Sequence, residues 1–71
     1  MAIFSHYPER RTVIVNTTTG KAFRGVLWQR GGRHLVLRNA ELLRPGGEVA
    51  PIDGELVIDR EKVEFIQVVS G

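Results

Sequence analysis

Cysteine is absent from this chain of 71 residues, and histidine, tryptophan and tyrosine are scarce. Without cysteine there is no disulfide and no thiolate metal site. The two histidines, His6 and His34, lie far apart with no acidic residue at ligand spacing. The sequence also lacks a nucleophilic residue placed beside a general base. It has no glycine-rich phosphate-binding loop that leads into a helix. We therefore expect no metal, no cofactor, no small-molecule substrate and no enzyme activity.

Long apolar runs are also missing. A membrane-spanning helix needs at least about 18 apolar residues in a row, and no stretch of this sequence approaches that length. The first residues, MAIFSHYPER, lack the basic start and apolar middle of a secretion signal. We expect a soluble protein that stays in the cytoplasm where it is made. It is predicted to form one domain over residues 1–71, with residues 1–10 as an N-terminal arm.

Helical periodicity does not occur along the chain, and short segments with the two-residue period of β-strands take its place. Turn residues, mostly glycine, separate these segments. We expect the first three to form a meander and the last two a hairpin closed by a charged turn. The fold class predicted is all-β, a small five-stranded antiparallel barrel that is strongly bent. The predicted strands are Thr12–Asn16, Lys21–Trp28, His34–Asn39, Glu55–Asp59 and Val63–Val69.

Two features interrupt the regular strand pattern. Gly25 lies in the middle of the second strand, where glycine weakens strand propensity, so its predicted purpose is a sharp bend or a close backbone crossing. Residues 41–54 hold two of the three prolines and three of the eight glycines, which predicts a long loop without regular structure. Such a loop is either a variable segment or an arm that lies over a partner.

Charge is distributed unevenly along the chain. Up to Ala40 there are seven basic residues and one acidic residue, whereas from Glu41 onward there are three basic and seven acidic residues. One explanation is compensation between the halves within one barrel, and the other is head-to-tail association of copies. A domain this small buries only about 60% of its unfolded surface, so we expect association with other chains to add stability.

Two groups of residues follow the order of known sequence motifs. The first group is an alternating hydrophobic strand, a glycine turn, an aromatic, a Gly-hydrophobic-Leu step, Leu-x-Leu and Asn-Ala: Val13, Val15, Gly20, Phe23, Gly25, Val26, Leu27, Leu35, Leu37, Asn39 and Ala40. The second group is Gly54, Ile58, Val63 and Ile66. Both resemble the motifs of the Sm-like family, which includes the LSm proteins and the bacterial Sm-like RNA chaperones. The resemblance implies a bent, SH3-like barrel of five strands.

The same resemblance implies assembly through strand edges. Members of the family commonly form rings in which the fourth strand of one subunit pairs with the fifth strand of its neighbour. The expected partner is therefore a second copy of this chain or a larger protein assembly. The residues that would pair at these edges are Leu56, Val57, Ile58, Phe65, Ile66 and Val68.

The loops that bind RNA in the family differ in this chain. RNA-binding members carry an acidic residue and a Met-Asn pair after the second strand, and Arg-Gly-Asp or Arg-Gly-Asn before the last strand. Here the two positions hold Arg30–His34 and Asp59–Glu61. The family's N-terminal helix is not expected either, because MAIFSHYPER is short and contains Pro8. The resemblance thus favours the barrel and its edge pairing over RNA recognition.

One candidate contact surface combines the only tryptophan with nearby basic residues. Such a surface can stack bases and hold phosphates, and the same residue types dominate protein interfaces. The modest net charge of +2 favours the protein interface. The acidic residues Asp53, Glu55 and Asp59 are interpreted as a solvated strand face rather than a cation site. The candidate contact residues are Arg24, Val26, Trp28, Gln29, Arg30, Arg33, His34 and Arg38.

The function predicted from these features is structural. The protein would bind itself or a larger scaffold through its strand edges and the tryptophan surface. In its short length the chain resembles the small accessory proteins of actinobacterial tailed phages. This resemblance implies a minor capsid or connector role and a location in the virion. The alternative is an RNA-binding Sm-like ring with an altered nucleotide pocket.

Overall fold

The structure is a computed structural model that describes residues 10–70, with the backbone alone described at positions 29–31 and 70. The predicted N-terminal arm therefore lies outside the described residues except for Arg10. A 3-10 helix, Arg60–Lys62, separates the last two strands. No helix in the described range has the length and apolar character needed to cross a bilayer. The strands are β1 Thr12–Thr17, β2 Ala22–Gly31, β3 His34–Leu43, β4 Val49–Pro51, β5 Glu55–Asp59 and β6 Val63–Ser70.

All strand pairings are antiparallel and join the six strands into one sheet. The order is β4-β3-β2-β1-β6, and β5 pairs with β3 as well. The predicted meander is confirmed, because β1 pairs with β2 and β2 pairs with β3. The all-β, antiparallel and bent fold class is confirmed too.

The bend of the sheet is concentrated in β3. Its first half, up to Arg38, pairs with β5, and its second half, from Glu41, pairs with β4. Between the halves, Asn39 has a φ of +53°, a left-handed conformation that asparagine tolerates better than most residues. The change of backbone direction at Asn39 thus lies between the part of β3 that pairs with β5 and the part that pairs with β4.

Gly25 brings β2 and β3 close together at the same place. A Cβ atom at this position would lie 3.1 Å from Cα of Ala40 and 3.1 Å from the carbonyl oxygen of Arg38. The β2–β3 register shifts between Arg24 and Val26, which marks an irregularity centred on the glycine. The predicted close backbone crossing is confirmed.

The predicted hairpin between the last two strands is wrong. β5 lies against β3 and β6 lies against β1, so the two strands diverge toward different parts of the sheet. The 3-10 helix makes this change of direction. Asp59 caps it, since its Oδ1 accepts a hydrogen bond of 3.1 Å from the backbone N–H of Glu61. Local composition signals a turn, but it does not say which partner the next strand will find.

The prediction that residues 41–54 contain no regular element is also wrong. β3 continues to Leu43, and β4 returns along it after a turn through Gly46 and Gly47, both with a φ of +92°. The proline at the end of β4, Pro51, is tolerated because a short edge strand does not need every N–H group for pairing.

The core consists of side chains at alternate positions of the long strands. This is the pattern that a sheet with one buried face requires. The buried apolar residues are Val13, Val15, Leu27, Leu35, Leu37, Ala40 and Ile58. Partly buried residues that pack against them are Phe23, Ile52, Leu56, Val63 and Ile66.

Candidate functional site

Trp28 lies on the outer face of β2 with two arginines against its indole ring. Cζ of Arg10 lies 4.0 Å from the ring centroid, and Cζ of Arg38 lies 4.1 Å from it. Both guanidinium groups therefore form cation–π contacts with the half-buried indole, which leaves less of the ring available to a nucleic-acid base.

Two arginines of the predicted contact surface are paired with carboxylates. Nη2 of Arg24 donates to Oε1 of Glu41 at 2.7 Å, and Nε of Arg38 donates to Oε2 of Glu55 at 2.8 Å. Each pair joins the basic half of the sequence to the acidic half. These contacts support charge compensation within one barrel, and they leave both arginines less available for phosphate.

Replacing Trp28 by alanine is expected to lower the free energy of unfolding by about 2 kcal/mol, because apolar burial and two cation–π contacts are lost together. Trp28→Phe keeps an aromatic ring against the arginines, so a smaller loss is expected. Urea denaturation followed by circular dichroism measures both. Equal stability of the alanine variant and the unaltered protein would contradict the stacked arrangement.

A pocket lies at one end of the barrel, where the β2–β3 turn meets the 3-10 helix. Its volume is about 280 Å³. Arg60 joins the two walls: its Nη1 donates to the carbonyl oxygen of Gly32 at 2.7 Å, and its backbone N–H donates to that of Arg33 at 2.7 Å. The pocket is therefore formed before a ligand arrives. Its lining residues are Gly32, Arg33, Asp59, Arg60 and Glu61.

The pocket offers charged groups of both signs to a ligand. The side chains of Arg33 and Glu61 are exposed, and neither forms a hydrogen bond or ion pair within residues 10–70. Asp59 is exposed too, but one of its oxygens already caps the 3-10 helix. One guanidinium group and one carboxylate are thus uncommitted at the pocket.

The edge strands of the sheet carry exposed apolar side chains. Among the described residues, β4 and β5 each pair with β3 alone, along its two halves, and β6 pairs with β1 alone, so the sheet keeps a free edge on each side. An exposed apolar strand edge is a template for pairing with another strand. The exposed side chains are Val49 on β4, at 45%, Val57 on β5, at 55%, and Phe65, Val68 and Val69 on β6, at 50%, 49% and 50%.

Solved structures of Sm proteins share the fold of this chain. A heptameric archaeal Sm protein, described for its implications for the eukaryotic snRNP core, is 30% identical with a TM-score of 0.76. That alignment covers 84% of this chain and 87% of the archaeal one. This chain belongs to the Sm family.

A second Sm structure extends the similarity over the whole chain. The SmAP1 heptamer of P. aerophilum is 26% identical with a TM-score of 0.83, over 100% of this chain and 95% of that one. No family model and no curated protein matches the sequence.

The predicted contact residues of this Sm chain lie in two places, the outer face of the sheet and the β2–β3 turn. Residues of the outer face are engaged with one another or with carboxylates: Arg24, Trp28 and Arg38, with Val26 half-buried beside them. At the β2–β3 turn, Arg33 lines the pocket, and the exposed His34 pairs with Asp59 in the β3–β5 register. The side chains of Gln29 and Arg30 lie outside the described residues.

The predicted edge residues of this Sm chain also divide into two groups. Val57, Phe65 and Val68 are exposed, as edge contacts require. Ile58 is only 6% exposed and belongs to the core, while Leu56 and Ile66 pack against it. The buried members could contribute their backbone groups to pairing, but not their side chains.

The sequence did not predict two of these contacts. Arg10 gave no signal of its contact with Trp28, because only folding brings the two residues together. Gly32, Asp59 and Glu61 lie in the two turns that correspond to the family's RNA-binding loops, but the pocket that these turns form together was not predicted. Within residues 10–70, no three acidic or histidine side chains lie close enough to share a metal ion.

Proposed function

We propose that the protein assembles into a homo-oligomeric Sm-type ring, in which β5 of one copy pairs with β6 of the next. The observation that supports this proposal is the exposure of large apolar side chains on two free strand edges. A head-to-tail contact repeated between copies closes into a ring when the rotation from one copy to the next is a whole fraction of 360°. In such a ring both free edges of every copy are paired. Both structural neighbours are heptamers.

The mass of the purified protein in solution tests the ring. Seven copies of the 8.0 kDa chain amount to about 56 kDa, and size-exclusion chromatography with light scattering distinguishes this mass from a monomer. A closed ring of another copy number would keep the proposal and change only the count. A monomer at micromolar concentration would contradict it.

We propose further that the ring binds single-stranded RNA at the pocket between the β2–β3 turn and the 3-10 helix. Arg33 supplies an uncommitted guanidinium group for a phosphate. A ring repeats this pocket once per copy, so one strand contacts several pockets, and avidity raises the overall affinity.

The substitution Arg33→Glu is expected to weaken RNA binding by about tenfold or more, since it replaces a phosphate contact by a repulsive charge at every pocket of the ring. Fluorescence anisotropy of labelled hexamers at low and moderate salt measures the affinity and its salt dependence. Arg44→Glu makes the same change of charge on the exposed β3–β4 turn, and it should retain most of the affinity. Equal losses in both variants would assign the effect to net charge and contradict the pocket.

The capsid or connector role predicted from the short length has no support from either structural neighbour. It predicts many copies in purified virions, whereas the RNA-binding ring does not require a virion. No contact of the described residues favours the phage role, so the ring that binds RNA is the function we propose.

A further inference from the structure

We infer that this pocket selects guanine among the four RNA bases. The inference rests on the proposed function, because it names the base that the RNA-binding pocket accepts. The observation that leads to it is the uncommitted carboxylate of Glu61 beside the uncommitted guanidinium of Arg33 in one pocket.

The carboxylates restrict what a base can present to the pocket. An ionised carboxylate only accepts hydrogen bonds, and its two oxygens can accept from two neighbouring donors at once. Asp59 has one oxygen committed to the backbone N–H of Glu61 at 3.1 Å. Glu61 keeps both oxygens available. A base with two adjacent donors is therefore the best match to this side chain.

Guanine is the RNA base with two adjacent donors on its pairing edge, N1–H and N2–H. Next to them on the same ring system lie O6 and N7, two acceptors that an arginine can bind with two hydrogen bonds. Arg33 is the candidate for this contact, since Arg60 is held by the carbonyl oxygen of Gly32. A guanidinium group has five N–H donors, so Arg33 can bind O6 and N7 with two of them and keep others for the phosphate. Guanine can thus donate two hydrogen bonds to the carboxylate of Glu61 and accept two from the guanidinium group of Arg33.

The other three bases match the pocket less well. Uracil has a single donor, N3–H, flanked by two carbonyl oxygens, so a carboxylate that accepts from it also repels those oxygens. Adenine and cytosine each offer one exocyclic amino group beside a ring nitrogen that accepts. Each can give Glu61 one direct hydrogen bond instead of two. The expected order of affinity is guanine first, adenine and cytosine next, and uracil last.

The size of the pocket fits a single base. Sites for drug-sized ligands begin at about 300 Å³, and this cavity is about 280 Å³. Two hydrogen bonds from Arg60 hold the backbone of the β2–β3 turn against the 3-10 helix, so the backbone positions that carry Arg33 and Glu61 keep their spacing without a ligand. Fixed spacing is what allows a donor and acceptor pattern to discriminate between bases.

Four labelled hexamers test the inference on the assembled protein: uridine, adenosine, cytidine, and alternating uridine and guanosine, which avoids the association of guanosine runs. Anisotropy titrations at low salt should give an affinity for the alternating hexamer about tenfold or more above that for the uridine hexamer. In Glu61→Gln the amide lacks one acceptor oxygen, so this preference should fall to about threefold or less. Glu48→Gln, an exposed glutamate on the β3–β4 turn, is the matched control and should keep the preference.

The outcomes separate the two proposals. Binding of all four hexamers without a preference for guanosine would overturn the guanine inference and leave RNA binding in place. A preference for guanosine that survives in Glu61→Gln would overturn the assigned carboxylate. Absence of binding by every hexamer would overturn RNA binding and the guanine inference with it. Light scattering serves as the check that each variant has the same mass as the unaltered protein.

Discussion

Aspartate in place of Phe65 is expected to dissociate the ring into monomers at micromolar concentration. Phe65 is 50% exposed on β6 and is not part of the core, so the fold should survive the substitution. In the ring its side chain would lie at the contact with β5 of the next copy. A charge buried there without a partner costs several kcal/mol, and the same loss recurs at every contact of the ring. Light scattering should report 8.0 kDa for this variant.

The control for this experiment is Thr18→Asp. Thr18 is exposed on the β1–β2 turn, and its backbone N–H donates to the carbonyl oxygen of Lys62 on the side where β6 already pairs with β1. The same charge should therefore leave the ring intact. Val57→Asp on β5 provides a second test of the interface from the opposite edge. If the Phe65 and Val57 variants both kept the mass of the unaltered protein, the proposed β5–β6 pairing would be wrong. If they become monomers, RNA affinity should fall as well, because avidity is lost.

Valine in place of Gly25 is expected to destabilise the barrel by about 3 kcal/mol, which is a large share of the stability of a small domain. The added Cβ would meet Cα of Ala40 and the carbonyl oxygen of Arg38, each at 3.1 Å. Both are backbone atoms of β3, so the strand itself must move. The added Cβ would also lie 3.3 Å from Cβ of the buried Ala40, so the γ-methyl groups of valine would enter a region that is already packed. Gly25→Ala should cost less, since it adds only the Cβ atom.

Urea denaturation followed by circular dichroism measures this effect. Ala22→Val serves as the control, because it adds a β-branched side chain to the same strand at a position that is only half-buried. A change of less than about 0.5 kcal/mol is expected there. Equal midpoints for the Gly25→Val variant and the unaltered protein would show that β2 and β3 do not cross as closely as described.

The sequence predicted the features of the fold that depend on neighbouring residues. Val13 and Val15 alternate with outward-facing residues, and the structure buries both completely. Leu35 and Leu37 do the same on β3. Gly25 was expected to mark a close crossing, because a strand interior otherwise disfavours glycine. These predictions hold because alternation and backbone freedom are local properties of a strand.

The predictions that failed depended on partners distant in the sequence. The hairpin was expected because two strand-like segments flank a short charged turn, yet β5 and β6 pair with different strands. β4 was hidden by glycine and proline, since its pairing with β3 cannot be recognised from its own composition. Arg10 reaches Trp28 only after the chain folds. Each error concerns which segment lies beside which.

By itself the sequence determined an all-β Sm-type sheet, its buried face and the place of its close crossing. These follow from a two-residue period and from the one residue type that lacks a Cβ atom. Only the tertiary structure decided that two arginines stack on Trp28, that the sheet of the described residues keeps a free edge on each side, and that Arg33 and Glu61 line one pocket. The reason is that these contacts join residues far apart along the chain, and the geometry of strand pairing sets such contacts.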